Sequence, residues 1–147
     1  MSSLDSLLAR HASLGPLALR LGLGVVFLAH AHAKAFVFTF PGTERFFASV
    51  GFPAWMAYPV FAVELAGGLA LLAGLQVRVA SLALFAVMLG ALRPHLGNGW
   101  MFTAAGGGWE YVAFLLVALA AQALLGPGAL AATAAAPARL TPAAHGA

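Results

Sequence analysis

Residues 30 to 36 read His-Ala-His-Ala-Lys-Ala-Phe, two imidazoles and an ammonium set in sequence that is otherwise apolar on both sides. These side chains donate and accept hydrogen bonds and exchange protons, and histidine also ligates metals. Helical geometry sorts them. Residues four apart share a face and residues two apart lie on nearly opposite sides, so His30 and Lys34 point together. His32 points elsewhere and is read as a contact for a partner protein. Glu64, Arg93, His95 and Glu110 interrupt other apolar stretches. Together with His30 and Lys34 they form the candidate polar cluster or ligand-binding set. Acids beside bases in such a set can hold a proton, pair with one another, or hydrogen-bond a bound headgroup.

The elements that position these residues must be built from very little charge. Of 147 residues, 63% are hydrophobic and 7% charged, with a mean hydropathy of +0.96, whereas a soluble domain carries about 25% charged residues. The natural solvent of this chain is lipid, and it reads as an all-α integral membrane protein. Its net charge of +3 comes from seven Lys and Arg against four acids, too scattered for a nucleic-acid surface, where basic residues cluster on one face. No cysteine is present, which excludes disulfides, thiolate metal sites and thiol relays. A redox role must therefore be borrowed from a bound cofactor.

A membrane span needs about 20 mostly apolar residues. Four are predicted, from about Leu17 to Phe38, Trp55 to Leu75, Val77 to Leu96 and Trp109 to Leu125. Lipid leaves no unpaired backbone group satisfied, so these are helices, and short connections make an antiparallel four-transmembrane-helix bundle. The first extracytoplasmic loop, FPGTERFFASVGFPAW, predicts a short interfacial helix capped by Thr43, with Glu44 in its first turn and Phe46, Phe47 and Val50 as its apolar stripe. The last loop is glycine-rich and flanked by Trp100, Trp109 and Tyr111, residues that favour the headgroup level. The organisation expected is a cytoplasmic N-terminal segment (1–14), a transmembrane domain (15–127) and a mobile Ala- and Pro-rich tail (128–147). Arg10, Arg20, Arg78 and Arg139 gather on one face, which places both termini in the cytoplasm. The AHA before Lys34 also fits a small-x-small signal cleavage site; the first span is read as retained. Small residues four apart, Ala29 with Ala33, Ala62 with Ala66 and Ala70, and Ala86 with Gly90, are predicted as helix seams.

With Arg20 and Arg78 at the cytoplasmic edge, a rise of 1.5 Å per residue puts Lys34 roughly 21 Å and Arg93 roughly 22 Å above it. Glu64 falls about 13 Å beneath the outer face by the same rise. The ionisable groups thus converge in one half of the membrane. A charge at that depth costs about 2.5 to 3.5 kcal/mol, so Glu64 is expected to pair with Lys34 or Arg93. Each residue also has a plainer reading. Lys34 and Arg93 can snorkel to the interface, His30 can be a hydrogen-bonded interior histidine, and Glu110 suits a helix first turn. His30 and His95 on facing helices are what an intramembrane haem b needs, but their depths differ by several ångströms, which disfavours haem. A metal site from His30, His95 and Glu64 has no support from spacing, and none is expected.

The segments RLGLGVVFLAHAHAKAF, FPGTERFFASVGFPAW and VELAGGLALLAGLQVRVASLAL, then GNGW and the run opened by Trp109 and Glu110, together resemble the DoxX family of small four-span bacterial membrane proteins. The resemblance covers roughly residues 16 to 130. Its most specific elements are His30 with Lys34, the run FASVGFP, Glu64 with the GG and LLAGL that follow and Arg78 beyond, and Trp109 with Glu110. His32 departs from the pattern, at a place where a small or variable residue is expected. The resemblance implies a bacterial inner-membrane protein tied to redox assemblies, since the family is named with the membrane subunit of a thiosulfate:quinone oxidoreductase.

The function expected is that of a membrane subunit or anchor of a redox complex, not catalytic alone, whose outer polar cavity takes a quinone headgroup. The expected partners are membrane lipid and other membrane subunits or further copies of the chain. The alternatives are a purely structural assembly protein without a cofactor, or a small permease, which four short helices make difficult.

Overall fold

The computed structural model describes residues 11–132, and these form helices joined by turns with no strand among them. The α-helices are α1 (Leu14–His32), α2 (Thr39–Ser49), α3 (Ala57–Ala73), α4 (Val77–Leu92) and α5 (Glu110–Leu125). A π-helical turn, Ala33–Val37, extends α1, and 3-10 turns precede α3 (Ala54–Met56) and follow α4 (Arg93–His95). So extended, the segments Leu14–Val37, Ala54–Ala73 and Val77–His95 are long and apolar enough to cross a membrane, while α5, of 16 residues, is shorter. Arg10, Arg139, most of the expected N-terminal segment and the tail from residue 133 onward lie outside the described residues.

The four long helices close a ring in which α1 packs on α3, α3 on α4, α4 on α5 and α5 on α1. At its centre Phe27, Leu71, Leu84 and Leu119 are entirely buried. Of the small residues expected at the seams, Ala29, Ala62, Ala66 and Ala86 are exposed, while Ala70 packs against the core. The closest helix approaches are at glycines. A Cβ on Gly24 would stand 2.8 Å from Leu72 Cδ2 and 3.0 Å from the Gly68 carbonyl, and one on Gly67 would stand 2.8 Å from Leu84 Cγ. Only glycine permits that approach, whereas alanine packs equally well against lipid tails. Gly68→Val should therefore lower the thermal midpoint, since overpacking costs about 1 to 3 kcal/mol. Gly22→Ala on α1, with nothing within 4 Å of its new methyl group, should instead raise stability by up to about 1 kcal/mol. Thermal unfolding in detergent compares the two, and equal behaviour would remove the seam.

One end of the ring is tied by a single side chain. Arg20, 1% exposed, donates from Nη1 to the Leu71 and Leu72 carbonyls at 2.7 Å each, from Nε to Pro127 at 3.0 Å, and from Nη2 to Ala129 at 3.1 Å and Leu130 at 2.9 Å. A helix C-terminus leaves four carbonyls unpaired, and the planar guanidinium fork reaches the last turn of α3 and the chain beyond α5 together. Residues 127–130 are thereby held beneath the bundle, and the Ala129 N–H donates to the Ser13 carbonyl at 2.9 Å. Gly74, at φ 70°, ends α3 in the left-handed conformation and lets α4 begin within three residues.

One expectation for the opposite end is corrected. Helix α2 starts at Thr39, not beside Thr43, because the chain turns sharply there (Thr39 φ 60°) and Pro41 is tolerated in a first turn. Thr43 is consequently no cap. Its side chain is buried, and its Oγ1 donates to the Lys34 carbonyl at 3.1 Å. At the same end Pro94 ends α4, since the chain tightens to a 3-10 turn where the proline ring excludes another α-helical turn.

Candidate functional site

At the end of the ring where α1 and α4 finish and α3 and α5 begin, the helices part around a cavity of about 660 Å³. Val60, Val63, Met88, Val112 and Leu115 contribute apolar walls, and Phe46 and Phe47 of α2 close one side. His30, Lys34, Glu64 and His95 all line it.

Lys34 lies in the π-helical turn, where the Phe38 N–H reaches back five residues to the Ala33 carbonyl at 2.8 Å. The wider turn disturbs the regular ladder, and Thr43 bonds the Lys34 carbonyl. Insertions of this kind concentrate at functional sites. Lys34 Nζ donates to both carboxylate oxygens of Glu64, at 2.8 and 2.7 Å. Glu64 is 1% exposed and Lys34 17%, so the carboxylate is sealed behind the ammonium and the pair meets the cavity through lysine. A buried carboxylate with both oxygens engaged is compensated; without lysine it would not be.

His30 shares this face, one turn before Lys34. Its ring sits edge-on to Phe27, centroids 6.3 Å apart, and tilts against Tyr111 at 6.4 Å. Its ring nitrogens form no hydrogen bond among the described residues, and the ring is left for the cavity. His95 is anchored differently. Nδ1 donates to the Gly107 carbonyl at 2.9 Å, and Asn98 Nδ2 bonds the same carbonyl at 3.1 Å. That anchor holds the imidazole with Nε2 as its remaining polar atom.

The other predicted members lie apart from this group. Arg93 is not a partner of Glu64. Its guanidinium lies 5.4 Å from the Phe52 ring centre, a cation–π contact that braces the turn after α2. That turn is closed by Gly51 at φ 83° and by the Phe52 N–H on the Phe47 carbonyl at 2.9 Å. Glu110 accepts the Phe102 N–H at 3.0 Å and so serves the loop before α5, where Trp100 and Trp109 meet edge to face at 4.3 Å. His32 is exposed beside Phe36, their rings 5.0 Å apart. No three His, Asp or Glu side chains form a metal-holding group among the described residues.

Tyr111 and Thr43 belong to this site and escape a reading of sequence alone. Tyr111 looks like an interfacial aromatic, and nothing marks a threonine nine residues beyond a lysine as the support of its carbonyl.

A model of the DoxX family matches residues 15–104, a stretch that includes His30, Lys34, Glu64 and His95 and stops short of α5. A protein of Bacillus subtilis (strain 168) named "Putative oxidoreductase CatD" is 34% identical over 91 residues, 58% of this chain and 66% of that protein. The match thus spans just under two thirds of that relative's length. No solved structure matches the chain.

Proposed function

The chain belongs to the DoxX family, and from that premise we propose that it is a redox-associated membrane protein whose cavity receives the carbonyl-bearing ring of a lipophilic quinone. One observation carries the reading. An ion pair at 2.7 Å presents its ammonium side, next to an imidazole without a hydrogen bond among the described residues, to a largely apolar chamber of about 660 Å³. Small-molecule sites are of this type, mostly apolar with a few convergent polar groups. With Glu64 compensating its charge, Lys34 presents a donor without net charge behind it, which suits a neutral carbonyl acceptor better than an anion. His30 supplies an imidazole that can donate or accept a hydrogen bond. A bound quinone would supply the electron-accepting chemistry; the residues supply orientation, a dry environment and hydrogen bonds. The name of the Bacillus subtilis relative points the same way.

In this reading α1, α3, α4 and α5 are four antiparallel spans of a bacterial inner membrane. Both ends of the chain and the Arg20 tie face the cytoplasm, the cavity lies in the outer half, and α2 rests at the interface above it. The protein serves as subunit or anchor for a membrane redox complex, with electrons supplied by a partner subunit. His32, exposed on the far side of α1, is a contact for that subunit or for a second copy.

Purification in mild detergent, solvent extraction and mass spectrometry should recover quinone with the native protein. Lys34→Met should abolish recovery while Gly22→Ala retains it. Consistently quinone-free native protein, or equal recovery from both variants, would leave a purely structural assembly protein as the better reading.

A further inference from the structure

A second cavity of about 510 Å³ lies between the end of α1 and the underside of α2. It shares His30, Lys34, Phe46 and Phe47 with the first, so the two chambers meet at the polar pair that would hold a headgroup. Beyond that junction its polarity falls away. Ala33, Phe38 and Gly42 complete the walls, and the hydroxyl of Thr43 is already committed to the Lys34 carbonyl. Its outer margin is apolar and open, with Phe38 62% and Phe46 53% exposed. Phe36 and Val37 extend the same exposed apolar surface, the kind of surface that lies against lipid tails. The main chamber is lined instead by the anchored His95 and the glycine loop, on the side toward α4 and α5.

We propose that this second cavity is the channel for the ligand's apolar chain. The headgroup sits at His30 and Lys34, and the chain leaves between α1 and α2 directly into the bilayer. The site is then built for a single-chain amphiphile that arrives sideways from the membrane. This rests on the reading of the main chamber as a quinone headgroup site.

Two glycines separate the chambers experimentally. A Cβ on Gly42, which lines only the second, meets nothing closer than 3.7 Å, and one on Gly90, which lines only the first, meets nothing within 4 Å. A larger side chain at either position can therefore fill its own chamber without displacing backbone. The probes are a long-chain alkyl benzoquinone and its tail-less ring analogue, titrated against the full chain in lipid nanodiscs. The native protein should bind the long-chain form more tightly. Gly42→Phe should weaken that binding by about tenfold or more, as expected when several methylenes lose their burial, and leave the ring analogue unchanged. Gly42→Leu should show the same pattern at smaller size. Gly90→Phe should weaken both probes.

Several results would overturn the channel. They are equal native affinity for the two probes, loss of both in Gly42→Phe, or chain sensitivity at Gly90 with none at Gly42. Each leaves the headgroup reading in place. A native protein that binds neither probe removes both.

Discussion

Arg20→Met should be the most damaging single substitution in the chain, with a loss of at least about 3 kcal/mol of stability. The arginine gives five hydrogen bonds to five carbonyls, and removing it leaves those in the interior unpaired at about 1 to 3 kcal/mol for each buried group. Arg20→Lys should rescue little, because an ammonium cannot span the end of α3 and residues 127–130 with one planar fork. Thermal unfolding in nanodiscs, together with proteolysis of the chain beyond α5, checks this. A lysine variant with native stability and native protection would show the tie to be generic positive charge.

Lys34→Met should rank next, and more damaging than Glu64→Gln. Removing the lysine leaves a carboxylate that is 1% exposed without its partner, and breaking a buried pair from one side costs about 3 to 5 kcal/mol. Removing the acid leaves a lysine that is 17% exposed and has a long stem with which to reach a wetter position. The double variant, Lys34→Met with Glu64→Gln, should recover a large part of the loss. A coupling energy in the double-mutant cycle measures this directly, and strict additivity would mean that the pair does not act as a unit. Ligand binding should be lost in all three, because the donor facing the cavity is absent or no longer held in place.

The contrast between these residues explains what sequence could and could not convey. Lys34 and Glu64 were readable because helix rise is constant and intramembrane charge is expensive, so a depth ruler and an energy cost together narrow the partner of Glu64 to Lys34 or Arg93. Arg20 served as one end of that ruler, but its own role stayed hidden. Its partners are backbone carbonyls, which every residue possesses and no side-chain pattern announces. Arg93 followed the same depth rule as Lys34 and went elsewhere, since an aromatic face at Phe52 satisfied it locally.

Hydropathy revealed the apolar helices but not which face of each turns inward. The alanine spacing therefore suggested seams that the glycines occupy. The π-helical turn has no signal of its own in AKAFV. It follows from how α2 folds back, a matter of tertiary packing that local propensity does not encode.

The Arg20 tie also bears on the order in which the protein is made. The first helix enters the membrane carrying a guanidinium whose final partners lie 51 to 110 residues further along the chain. Until α3 is complete none of them exists, and until α5 has been synthesised Pro127, Ala129 and Leu130 do not. During that interval the guanidinium must donate its hydrogen bonds to water or headgroups, since an unpaired buried charge is costly. Closure of the tie is then among the last events of assembly, and it withdraws this charge from water only once every helix of the ring is present.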